Sequence, residues 1–503
     1  MARIRQQFRR SRIIVLSLAL SVLVIGTAAF AVLATNDDDV DDTDATETPY
    51  AAFASAQLFE FPGNWDESDI ATVQTIYPFQ TSWQRMLRDA HPGSESLAAG
   101  TSCAACHGNA IEEQSSAAGF EGPPTDHYDS GGCIACHGGI ERDAASLGES
   151  LATRDMGPGV KDGDISVKTQ AAFDDEFIYL RFEWESDQPG VHHDLLRFDG
   201  EEWQRWGDSI PDVLETDERP TSEDRLALMM PDGDISSYDG TAGSFGVAGC
   251  YIGCHDDQRQ MPDAAPEDEV VAHDYFGEDG IDVDDMRKYL FNTRDEIGES
   301  GAWDSVIPED EIEELFHDGD FLDMWMWRAG RSGPAGYADD LFVLEYRHSD
   351  EGSSTWSTQS QPPEYMYDPD VTGYAAIHED EFEDLLNESP MIMGENVVEY
   401  DPDYDFQEGD IIPRRVLDDP EGSRGDILAN SWWEDGRWIL EMRRSLDTGN
   451  PDDVPLVPGN VYSIGVAIFD DHVGGRRHHV SFPVTIGMGV EADIVAVPLN
   501  EQE

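Results

Sequence analysis

The sequence predicts a mainly β protein in four parts. These are an apolar N-terminal transmembrane helix (residues 1–35), an acidic linker (36–55), a small irregular or α-helical module (56–152) and an antiparallel β-sandwich (153–503). Three observations predict it. An uncharged, almost wholly apolar run over 13–34 follows a segment with five arginines and no acid. The stretch from about 91 to 150 is rich in Gly, Ala and Ser and poor in large apolar residues, too poor to build a core unaided. From about 153 onward apolar residues recur with a period of two, the repeat of a half-buried strand.

The N-terminal run is long enough to span a bilayer, which takes about 20 apolar residues. Its arginine flank should stay inside, leaving the rest of the chain outside the cytoplasm. Ala29-Phe30-Ala31 also has the small-residue pattern of a cleavage site, so an uncleaved anchor and a removed signal peptide are both open, the anchor being favoured. Residues 37–50, DDDVDDTDATETPY, lack core-forming side chains and read as a solvated linker without the spacing of a calcium loop. A short amphipathic helix is expected over 81–90: Thr81 and Gln84 form a capping pair, and Trp83, Met86, Leu87 and Ala90 share a face.

In the β region, Ile178, Leu180, Phe182 and Trp184 alternate with charged neighbours. Residues 225–230 and 461–469 read as further strands, and 431–442 as a hairpin turning at Asp435-Gly436. Residues 480–486 form another strand, with Pro483 marking an edge or a bulge. The stretches 257–320 and 350–430 are expected to be long surface connections with short helices. Strands separated by turn signals argue for a sandwich.

All six cysteines fall in clusters that end in histidine: Cys103-Ala-Ala-Cys106-His107, Cys133-Ile-Ala-Cys136-His137 and Cys250-Tyr-Ile-Gly-Cys254-His255. Cys-x-x-Cys-His is the attachment signature of c-type haem, in which two thiols join the porphyrin and the histidine ligates iron. The sequence therefore predicts three covalent haems c. The first two belong to a di-haem module (56–152) whose porphyrins would supply its missing core. Structural zinc is disfavoured by the 26-residue gap between Cys106 and Cys133 and by the adjacent histidines. Disulfides would leave those histidines unexplained. The third cluster, with its longer spacer, keeps an isolated disulfide as its alternative. His91, twelve residues before Cys103, and His127, six before Cys133, are the candidate distal ligands of this module.

Several stretches around the third cluster resemble a known family. FIYLRFEWES, EDRLALMMP, GCYIGCH, LDMWMWRAGRSGPAGYADD, GDIIPRRV, NSWWEDGRWILEMRRSLDTG and YSIGVAIFDDHVGGRRHHVSFPVTIGMG occur in order between about 171 and 489. They are similar to the DOMON-like haem-binding domain of ethylbenzene dehydrogenase γ subunits. The preceding IYPFQTSWQRMLRDAHPGSESLAAGTSCAACHG resembles the di-haem module that often precedes it. The resemblance implies a β-sandwich with a haem between its sheets, export, and electron transfer. In the γ subunits that haem is b-type, held by a methionine and a lysine. Here the Gly249-Cys250 cluster stands at the methionine's place, so His255 would take over the bond. The lysine of the final Lys-x-Val-Ser strand is replaced in His478-His479-Val480-Ser481, and no lysine follows Lys288. His478 is thus expected as the distal ligand, on the face of Val480 and Phe482, read as the inner face of the sheet. His192, His193 and His273 are its rivals, and His478 and His479 as plain polar residues at a strand start are the alternative.

The net charge is −74, with 105 acidic residues and three lysines, and the acid is spread along the whole chain. That pattern fits a halophilic surface, since at molar salt the Debye length falls to about 3 Å. It also argues against nucleic acid as a partner. No Gly-x-Ser-x-Gly elbow, His-Glu-x-x-His or dinucleotide loop is present. The expected function is electron transfer. The expected partner is a redox protein: a molybdopterin oxidoreductase subunit, or a membrane quinol or cytochrome complex. A haem enzyme with an open iron, and a ligand-binding sandwich with structural haem, are the competing readings.

Overall fold

The computed structural model describes residues 58–62, 69–76, 164–209, 220–232, 245, 249–250, 289–294, 306–381, 390–474, 477–481 and 483–499. The predicted membrane helix, the linker, the helix over 81–90 and the first two cysteine clusters lie outside them. Among the described residues no helix is long and apolar enough to cross a membrane.

One 13-stranded sheet dominates. Its strands are β1 (Ala71–Ile76), β2 (Asp164–Phe173), β3 (Phe177–Glu185), β6 (Arg225–Pro231), β7 (Leu322–Arg328), β8 (Tyr337–Val343) and β9 (Arg347–Ser349), followed by β10 (Ile427–Glu434), β11 (Arg437–Ser445), β12 (Val461–Phe469), β13 (His479–Ser481), β14 (Val484–Met488) and β15 (Ile494–Pro498). β4 (Leu195–Phe198) and β5 (Trp203–Trp206) belong to a separate four-stranded sheet. The large sheet runs β1-β13-β12-β14-β15-β2-β3-β11-β10-β8-β7-β6, with β9 on β8, and β6 pairs back onto β12. It is therefore closed and barrel-like, which corrects the expected two-sheet sandwich. The parallel contacts are β2–β15 and β14–β15; the other pairings in this sheet are antiparallel. Alternation along a strand does not reveal whether a sheet folds on another sheet or on itself.

The period-two pattern holds in detail. Ile178, Leu180, Phe182 and Trp184 of β3 all face the barrel core. Three indoles meet there: Trp184, Trp327 and Trp438 have ring centroids 5.0–6.4 Å apart. Two of their N–H groups are satisfied, Trp327 by Ser431 Oγ (3.2 Å) and Trp438 by Asp224 Oδ2 (2.8 Å), as burial of a polar tip requires. The β10–β11 hairpin turns at Asp435 (φ 49°) and Gly436 (φ 76°), the two left-handed positions of a type I′ turn. Pro483 lies at a bulge between β13 and β14. Both strands pair with β12, but the register shifts by one residue between Ala467↔Val480 and Ile464↔Val484.

The stretch 350–430 differs from expectation. It is not mere surface connection but carries short strands, among them Tyr365–Tyr367, Ile377–His378 and Asp410–Pro413. These pack with β4 and β5 over a core of their own that includes Leu196, Trp203, Tyr367, Ile411 and Ile412. Runs of two to four residues are too short for periodicity to register. Of 257–320, the described part includes one helix, α1 (Glu309–His317).

Asp174 closes the β2–β3 turn. Its Oδ1 accepts from the backbone N–H of Glu176 (2.8 Å) and Phe177 (2.7 Å), and its Oδ2 from the Tyr179 hydroxyl (2.9 Å). Burial raises the carboxyl's pKa, but those hydrogen bonds and the charge of Arg443 outweigh it and hold the group below its ordinary value. A depressed folded pKa means a contribution complete above the unfolded value, about 4, and lost as pH falls through the folded one. Asp174→Ala is expected to cost about 1–2 kcal/mol in denaturant melts at pH 7. The gap between variant and wild type should close on acidification; an unchanged gap at low pH would count against this role.

Candidate functional site

The outer face of the barrel carries a second apolar cluster, and Cys250 sits in it. The β6–β12 ladder sets its floor. Gly465 pairs with Met229 and Ala467 with Ala227, while Ala467 also pairs with Val480 on β13. Directly opposed residues share a face, so Gly465, Ala467 and Ala227 make a shallow trough of minimal side chains. Met324 and Met326 of β7, opposite Met229 and Ala227, wall one side, and Val480 walls the other. Above it the excursion between β6 and β7 supplies Phe245, Leu290 and Phe321, together with Ile312, Leu315 and Phe316 of α1.

Cys250 lies directly on this floor. A Cβ at residue 465 would stand 2.4 Å from Cys250 Sγ, so only glycine lets the thiol rest on the strand. Gly249 before it has φ +55° and a Cβ there would meet Pro483 at 3.1 Å, so both backbone shape and space call for glycine. The thiol is 8% exposed, and burial pushes its pKa up to about 12. Burial therefore favours the uncharged form, and the side chain packs as a small apolar group.

His478, one residue before β13, shares the face of Val480, as alternation predicts. That face is the outer one, however. The barrel interior receives His479, which pairs with Ile468. The His478 ring stacks on Phe469, with centroids 4.3 Å apart and planes at 20°, and the Arg225 guanidinium lies 5.2 Å from the same phenyl ring. Burial first, then the neighbouring Arg331, lowers Arg225 to about 10. Gly465, under the thiol, and Phe469, under the imidazole, are four residues apart on one strand, about 13 Å. Cys250 and His478 thus bracket the small-residue trough along β12. Sequence reasoning singled out both end groups but missed the floor between them; the signal was Gly465 and Ala467 alternating with Ile464, Val466 and Ile468.

Two of the rival histidines sit elsewhere. His192 and His193 line a crevice with Asp194, Gly330 and Arg415, whose apolar walls Val191 and Met391 belong to other clusters. Burial, reinforced by Arg331, Arg225, Arg415 and Arg328, holds His193 well below its ordinary pKa. A neutral imidazole there is consistent with packing among arginines. Cys103, Cys106, Cys133, Cys136, Cys254, His91, His107, His127, His137, His255 and His273 lie outside the described residues.

What is present for a porphyrin is a strand floor of glycine and alanine, polarisable and aromatic neighbours, a buried sulfur over Gly465 and an imidazole over Phe469. Together these make an apolar site on the outer face of a β-barrel domain. The chain belongs to the ethylbenzene dehydrogenase family, whose model matches residues 149–481 and so takes in Cys250 and His478. It is also similar to a cytochrome c-552 of Stutzerimonas stutzeri, 35% identical over 89 residues. That match covers 18% of the chain and 29% of the relative, so the chain spans under a third of the relative's length.

Gly465→Ala is expected to lower stability by about 1–3 kcal/mol, as overpacking does. Adding Cys250→Ala should return part of that loss, because the clash is with the sulfur. Additive effects of the two substitutions in thermal melts would contradict the contact.

Proposed function

We propose that the protein is an exported, membrane-anchored multihaem c-type cytochrome that passes electrons to or from a respiratory oxidoreductase of the molybdopterin class. One observation carries this reading: Cys250, the first residue of a Cys-x₃-Cys-His cluster, rests on the trough that His478 borders, within the span that matches the ethylbenzene dehydrogenase family. Two Cys-x-x-Cys-His clusters upstream and the likeness to a cytochrome c-552 support it further. The five arginines before the apolar run at 13–34 support the anchor and the outward orientation.

Bound haem supplies a one-electron couple at each site. The chain's own residues do the rest. Cys250 and Cys254 would tether the third porphyrin, and His255 and His478 would ligate its iron, the His478 ring being held by stacking on Phe469. Gly465, Ala467 and Ala227 would let the group approach the strands, and the methionines and phenylalanines around them would exclude water. Arg225, beside Phe469, offers a cation to a carboxylate at the rim. In the upstream module Cys103, Cys106, Cys133 and Cys136 attach two more haems, His107 and His137 ligate them, and His91 and His127 complete their coordination.

Intact mass with haem quantification is expected to give three covalent haems in the wild type and two in the Cys250→Ser/Cys254→Ser double variant. Retention of three, or a wild type with two, would remove the third site. His478→Ala is expected to convert one low-spin haem to a high-spin or water-ligated form and to shift one midpoint potential, with His193→Ala leaving both unchanged. A high-spin haem already present in the wild type would favour the enzyme reading instead.

A further inference from the structure

Far from the cysteine cluster in sequence, the loop after β11 meets the end of β9 at a knot of buried carboxylates. Asp350, Asp452 and Asp453 each contribute an oxygen, and the three oxygens lie within 4.8 Å of one another. The side chains are 3–7% exposed. Asp323 and Asp340 extend the knot through Asp453, again with oxygens within 4.8 Å. The positive charge that faces them is Arg444, which donates to Asp323 Oδ2 at 2.7 Å and to Asp453 Oδ1 at 3.2 Å. One guanidinium against five carboxylates leaves a buried excess of negative charge, and Asp426 adds to it from the next loop.

The excess is concentrated on Asp350. Both of its carboxylate oxygens are buried without a hydrogen-bond partner, and so are Asp340 Oδ2 and Asp323 Oδ1. An unpaired buried carboxylate costs several kcal/mol, so such oxygens normally face a cation or carry a proton. Arg444 already serves the Asp323 side. Among the described residues no basic side chain pairs directly with Asp350 or Asp452, and Asp350 feels Arg444 only at longer range.

We propose that Asp350, Asp452 and Asp453 bind a divalent cation of the calcium type, which fixes the loop after β11 to the end of β9. The donors are all hard oxygens, with no histidine or thiolate among them, which suits calcium over a transition metal. Thr448 Oγ1, 2.5 Å from Asp453 Oδ2, and Ser423 Oγ, 3.4 Å from Asp452 Oδ1, orient two of the carboxylates. Burial and the neighbouring Asp452 push Asp350 up to about 9 in the absence of a cation, the strain that a bound ion would relieve. This site is independent of the haem reading.

The test uses the full haem-loaded chain, stripped with a calcium chelator and kept in molar sodium chloride, where diffuse attraction of ions to the acidic surface is screened. Calcium titrated in is expected to bind saturably and to raise the melting midpoint by about 2–4 °C, with magnesium at equal concentration doing less. Asp350→Asn should lose both binding and shift while melting close to the calcium-free wild type, since the amide replaces a carboxyl that is protonated when no cation is bound. If that variant does not fold, Asp452→Asn carries the same test. The proposal is overturned by a wild type whose midpoint ignores calcium, or by a shift that survives in both variants.

Discussion

The pairing of β6 with β12 is the contact on which the rest of the domain depends. Without it β6 would be left as a free edge, while β1 would still be held between β2 and β13; with it, five consecutive residue pairs from Gly465↔Met229 to Phe469↔Arg225 join β6 to β12. Closure creates an inside, where Leu226, Leu228, Val466 and Ile468 join the tryptophan-rich core. The same ladder, by strand alternation, creates an outside on which the small residues fall. The core and the apolar trough are thus two faces of one set of hydrogen bonds, and a one-residue slip would exchange them. The bulge at Pro483 is compatible with this, because it absorbs its extra residue beyond the Ala467↔Val480 pair.

A net charge of −74 sets a second constraint, felt even in the interior. Arginine, the chain's main cation, is concentrated where carboxylates are buried. Asp339 is paired with Arg328 and with Arg424 (2.6 Å), Glu223 with Arg331 (2.5 Å), and Asp194 with Arg205, Arg414 and Arg415. The planar fork suits such multiple contacts in a way that lysine does not. Trp356 lies 5.0–5.3 Å from the guanidinium carbons of Arg328, Arg331 and Arg424, which gathers three like charges over one aromatic ring. Against that pattern the knot at Asp350 stands out, since there the carboxylates outnumber the arginine.

Much of the barrel was legible in the sequence because its strands are long. Residues 177–185 and 461–469 and the hairpin at Asp435-Gly436 announce themselves through alternation and turn chemistry. Closure was not legible, since it depends on which distant strands meet, and nothing in residues 225–231 names Val461–Phe469 as a partner. The short strands between 350 and 430 escaped for want of length. Within the site, Cys250 and His478 were legible by type, but their common face was not, because "inner" and "outer" have no meaning until the sheet closes. The buried carboxylates were the least visible of all. In a chain this acidic, Asp350, Asp452 and Asp453 look like any other aspartates until the fold withdraws them from water.

The placement of Cys250 bears on why a covalent cluster would stand where relatives are expected to hold a haem by coordination alone. The trough lies on the outer face of the barrel, and among the described residues its neighbours off the sheet come from the excursion between β6 and β7. A flat ligand seated there would have strand ladder on one side and, among the described residues, Phe245, Leu290 and α1 on the other. Such cover holds a ligand less firmly than a closed core, because an excursion opens at a lower free energy than a central strand. A thioether would turn dissociation into a local opening from which the ligand returns at high effective concentration. Salt screens ionic anchoring at a rim but leaves a covalent bond untouched, so a tether at Cys250 would hold a ligand at any ionic strength.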